Sequence, residues 1–123
     1  MLGLFDEFLI DLAREAARGV IEGILQRYSV GDLRWHIEHD TNLIEQGLDS
    51  PDPRDRALLP KLQNLARRYA RYRPKIREAV TTEWFLGWMH RRYPAYAVHV
   101  DTPQGRRWLE GNLRYAIDFF FPP

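Results

Sequence analysis

Residues 4–27 read LFDEFLIDLAREAARGVIEGILQR, and the spacing of their apolar side chains decides the fold class. Phe5, Phe8, Leu9, Leu12, Ala16, Val20 and Ile24 recur at steps of three and four, the period of one helix face. Ile10, Ala13, Ala17 and Ile21 widen that face well beyond a narrow stripe, so the helix needs cover on two sides: it is central to a bundle, or it pairs with a second copy. Gly19 and Gly23, four residues apart, each cost about 1 kcal/mol relative to alanine and suggest a close helix–helix approach.

Downstream, proline and capping residues divide the chain into further helices. Ser29-Val30-Gly31-Asp32 reads as a turn, with Asp32 as the N-cap of a second helix. Leu33, Ile37, Leu43, Ile44 and Leu48 suit one or two short helices broken near Asp40-Thr41-Asn42. Residues 49–54 hold two prolines and form a surface loop. Leu58, Leu62, Leu65, Tyr69 and Tyr72 then define the seam of a third helix, from about Arg56 to Arg73, with Pro60 in its first turn. Pro74 ends or kinks it. Ile76, Val80, Trp84 and Trp88 mark a fourth helical stretch that runs to Arg92 and that Thr81 or Thr82 divides by capping a new start.

Residues 93–101 alternate in polarity and contain β-branched side chains, but no second strand exists to pair with them, so an extended connector is expected. Thr102-Pro103 is a strong helix start, an N-cap followed by proline at the first helical position. The last helix buries Trp108, Leu109, Leu113, Ala116, Ile117 and Phe120. The expected fold is all-α, a compact bundle of four to six helices in a single domain over residues 1–123.

Composition narrows the function. The chain has 123 residues, 45% hydrophobic and 28% charged, a globular balance. Cysteine is absent, which excludes disulfides, thiol catalysis and cysteine-ligated metals. No apolar run reaches the roughly 18 residues of a membrane span, and no signal peptide opens the chain, so a cytoplasmic location is expected. There is no phosphate-cradling glycine loop, nucleophile elbow, zinc-protease helix or dinucleotide fingerprint. The reading is therefore of a non-catalytic protein without a cofactor. His36 and Asp40, one helical turn apart, lack the further ligands a zinc site needs, so no metal is expected. The N-terminal helix is amphipathic, but its acidic start argues against a membrane surface.

Charge is the informative feature. The net charge of +1 conceals −7 over residues 1–53 and +8 over residues 54–92. From Lys61 to Arg77 there are seven basic residues and no acid. Lys61, Asn64, Arg67, Arg68, Arg71 and Lys75 fall on the side of the third helix opposite its leucine–tyrosine seam, with Arg73 and Arg77 continuing the line. Arginine grips phosphate with two bonds, so such a rod can follow a nucleic-acid backbone, DNA or RNA, with weak sequence preference. The alternative is an adaptor or self-assembling subunit whose basic segment docks on an acidic protein surface, with a homodimer through the N-terminal helix as one form. A second cluster, Glu83 to Tyr93, interleaves Trp84 and Trp88 with Arg91 and Arg92; helical spacing favours the tryptophans as core.

Overall fold

The computed structural model describes residues 4–39, 60–61, 63–64, 67–68 and 70–120. Its regular structure is helical throughout: α1 (Leu4–Arg27), α2 (Val30–Glu38), a 3-10 turn (Ala70–Tyr72), α3 (Arg73–Ala79), α4 (Thr82–Arg92), α5 (Pro94–Val100) and α6 (Pro103–Phe120). Residues 60, 61, 63, 64, 67 and 68 also have helical backbone. The fold is an all-α bundle, with no strand among the described residues. The surface loop expected at 49–54 lies outside those residues, as do the break near Asp40 and the seam positions Leu58, Leu62, Leu65 and Tyr69.

The wide face of α1 is covered within the chain. Leu9, Ala13, Ala16, Ala17, Val20, Ile21, Ile24 and Leu25 are buried, and α1 packs against both α6 and α3. Three alanines on this face let the neighbouring helices come close without a glycine. Gly23 plays no part in that approach: a Cβ built on it meets nothing within 4 Å. Of the large apolar side chains described on α1, Phe8 stands exposed. Opposite α1, α6 contributes Leu109, Leu113, Ala116 and Ile117, and α3 contributes Ile76. Phe85, Leu86 and Met89 of α4, Ala97 and Val100 of α5, and Leu33 and Ile37 of α2 complete one continuous core. Each large apolar side chain buried in it contributes about 1.5–3 kcal/mol.

Helix starts follow the capping chemistry of the sequence, with one shift. Thr81 caps α4 by accepting from the Trp84 N–H at 3.2 Å, and Thr102 caps α6 by accepting from the Gly105 N–H at 2.9 Å. At α2 the cap is Ser29, whose Oγ accepts from the Asp32 N–H at 3.2 Å. Asp32 instead lies in the first turn, where its charge suits the helix dipole. The helical run ahead of Pro74 gives way to the 3-10 turn, and Pro74 itself lies in the first turn of α3, where no donor is needed.

The extended connector expected at 93–101 is a helix, α5. Pro94 opens it as Pro74 opens α3. Tyr93, Ala97 and Val100 are spaced four and three apart, and Ala97 and Val100 are fully buried, so a helical period lay beneath the apparent alternation. The segment packs against α2, α4 and α6 at once, and that tertiary cover overrides the β-branched preference of its two valines. No helix among the described residues is long and apolar enough to cross a membrane.

Candidate nucleic-acid interface

The basic segment is divided by structure into two sets with different partners. Lys61, Asn64, Arg67, Arg68, Arg71 and Lys75 are exposed. Among the described residues no carboxylate lies within ion-pair distance of Lys61, Arg67, Arg68 or Arg71. The other two arginines both reach Asp118 on α6. Arg73 donates to Asp118 of α6, and Arg77 donates to the same carboxylate oxygen at 2.8 Å. The Arg73 side chain is only 18% exposed, so burial and the Asp118 charge fix it as part of the fold. Its Nη1 is buried and has no hydrogen-bond partner among the described residues. Arg77 remains half exposed and is shared between the fold and the surface.

Tyr72 joins the two sets. The Arg71 guanidinium lies 5.1 Å from its ring centroid and the Lys75 ammonium 5.5 Å, while Arg71 Nη2 donates to the Tyr72 hydroxyl at 3.3 Å. Cation–π attraction thus uses the ring to position two cations. Tyr69, the other tyrosine of the seam, lies outside the described residues.

Just past Arg77 the surface dips into a groove of about 250 Å³ between the end of α3, the start of α4 and the middle of α6. Val80, Leu113 and Ile117 are its apolar floor, and Arg77 and Arg114 stand on its rim. Arg114 donates to Glu110 at 3.0 Å one helical turn away and lies outside the basic run of residues 61–77. No local signal marks it: the groove brings together residues 77 and 114 by tertiary packing alone.

The tryptophan–arginine cluster serves mainly the interior. Trp84 and Trp88 are partly buried and pack against the core, in a chain of edge-to-face contacts that runs through Phe85 and Tyr93 to Tyr96. The Trp84 ring is covered by Arg14 and Arg18 of α1, at 4.5 and 5.6 Å from its centroid. Arg14 Nε and Nη2 also donate to the Ala79 carbonyl at 3.2 Å each, which satisfies the C-terminal end of α3. Burial, followed by the nearby Glu22 carboxylate, pushes the Tyr93 hydroxyl above the usual tyrosine range.

The histidines make ring and side-chain contacts of their own. His39 stacks on Trp35 with centroids 4.3 Å apart, and His36 packs edge-on to Tyr28 at 4.7 Å. Asp40 lies outside the described residues, and among those described no three histidine or acidic side chains are placed to hold a metal ion. Elsewhere, Asp101 accepts from His90 Nε2 at 3.0 Å and from Arg106 at 2.9 Å, and Arg106 reaches on to Glu83. The His90 and Arg106 hydrogen bonds hold the Asp101 carboxyl below the usual aspartate range. Comparison with protein-family models, curated proteins and solved structures found no match for this chain.

Proposed function

We propose that the protein is a non-catalytic module that binds nucleic acid, chiefly through phosphate contacts along Lys61, Asn64, Arg67, Arg68, Arg71 and Lys75. The observation that carries this reading is the exposure of all six on a segment without a single acid from residue 61 to residue 77. Arg77 extends the track, whereas Arg73 is reassigned to the fold through Asp118. Phosphate contacts of this kind position a polyanion without reading its bases, so sequence preference is weak.

One observation favours a second reading. The same basic surface already accepts a carboxylate, Asp118, so an acidic protein surface is the alternative partner. Fluorescence anisotropy with labelled DNA and RNA, across a range of salt, separates the two. With about five phosphate contacts, log affinity falls against log salt with a slope of about −3.5 on single strands and about −4.5 on duplex. Arg67→Glu/Arg71→Glu abolishes binding while circular dichroism stays unchanged. Absence of binding at low salt refutes the nucleic-acid reading and turns the search to acidic protein partners.

A further inference from the structure

The groove beside Arg77 extends the track with a different chemistry. The exposed cations from Lys61 to Lys75 can only follow a backbone. At Arg77 the surface changes to a recess with Val80, Leu113 and Ile117 beneath it and two guanidinium groups at its rim. Arg77 is common to both features, so a strand laid along the track reaches the recess without leaving the protein. Both rim arginines are tied to carboxylates, Asp118 and Glu110, yet each presents five donors in a fork and is half exposed or more. They can therefore take a phosphate oxygen while keeping their intramolecular bond.

Size limits the occupant. Pockets for drug-sized ligands begin at about 300 Å³, and this recess, about 250 Å³, lies just below that. It has room for one planar heterocycle and not for a stacked pair. The apolar floor and the rim arginines match a nucleobase, whose faces are apolar and whose flanking phosphates are anionic, while the Thr81 and Thr82 hydroxyls and the Glu110 carboxylate complete the lining. A duplex holds its bases paired and stacked, and presenting one to such a recess requires flipping it out at the cost of its pairing.

We infer that the groove between α3, α4 and α6 receives one unstacked base of a single strand, with the neighbouring phosphates on Arg77 and Arg114, so that the protein prefers single-stranded to double-stranded nucleic acid. This rests on the proposed binding function and adds the form of the ligand to it.

The test compares anisotropy titrations of one oligonucleotide, single-stranded and annealed, against the wild type and Thr82→Trp. Thr82 lines the groove at the first turn of α4, is not its capping residue, and carries no charge. The single strand is expected to bind about tenfold tighter than the duplex, the worth of one seated base. Thr82→Trp removes that advantage and leaves duplex affinity unchanged. A second readout needs no variant: 2-aminopurine placed within the single strand brightens on binding as it leaves its stacked neighbours. Equal affinity for both forms, with no change in Thr82→Trp and no brightening, overturns the base recess and leaves phosphate binding standing. Binding to neither form overturns both. If Thr82→Trp does not fold, the 2-aminopurine signal decides alone: an increase supports the recess and its absence refutes it.

Discussion

Helix propensity alone favours replacing Gly105 with alanine, since glycine inside a helix costs about 1 kcal/mol. The structure reverses the sign. Gly105 is the third residue of α6, where the chain has just turned out of α5, and a Cβ there lies 2.3 Å from the Val100 carbonyl oxygen and 2.6 Å from its Cα. Those atoms are backbone, so no side-chain rotation relieves the overlap. The end of α5 must move instead, carrying Ala97 and Val100, which are fully buried beside a fully buried Leu109. Overpacking of this kind costs about 1–3 kcal/mol, and the backbone clash puts it at the upper end. Displacing the Thr102 cap adds about 1 kcal/mol, and the propensity gain returns about the same. The net loss is about 3 kcal/mol. Unfolding entropy of about 2.1 cal/mol/K per residue makes 1 kcal/mol worth about 4 °C in a chain of this length, so the Tm falls by about 12 °C. Gly23→Ala is the matched control: the site is open, and the Tm rises by up to about 4 °C. Thermal melts followed by far-ultraviolet circular dichroism measure both. A Gly105→Ala protein that melts at or above the wild type refutes the close approach of α5 and α6.

Two further substitutions probe the charge network. Asp118→Ala leaves the mostly buried Arg73 without its carboxylate and lowers stability by about 1–2 kcal/mol, the solvent exposure of Asp118 limiting the loss; urea denaturation reads it, and an unchanged midpoint counts against the pairing. Asp101 has a folded-state pKa below its ordinary value of about 3.9, so its stabilisation is complete above that value and is lost as pH falls through the lower, folded one. Urea midpoints taken from about pH 6 down to about pH 2.5 therefore drop less steeply for Asp101→Asn than for the wild type, and parallel curves would exclude the His90–Asp101–Arg106 link.

What was legible in the sequence is what local chemistry decides. The period of α1, a threonine cap at 81 or 82, the Thr102 cap and the first-turn position of Pro103 can each be read within a few residues. Val98 and Val100 mask the helical period of α5 because they favour a strand, and its cover by three other helices is invisible in the sequence. The Pro94 start was the available signal, of the same kind as Pro103. At the candidate interface, the acid-free run showed where positive charge accumulates. It could not show that Asp118, 45 positions from Arg73, would draw that arginine into the fold and hold Arg77 at the same carboxylate. Nor could it show Arg114 on the rim of the groove, since that neighbourhood exists only once α3, α4 and α6 have packed.

The chain order of the contacts has its own consequence for assembly. A single residue separates α4 from α5, and two separate α5 from α6, so this corner closes almost without loop entropy. Bringing α1 onto α6 instead closes a loop of 75 residues, Tyr28 to Thr102, which costs roughly 3 kcal/mol more by the logarithmic dependence on length. Until that closure the alanine-rich face of α1 and the facing side of α6 are both exposed to water. Burial of α1 joins the two halves of the core.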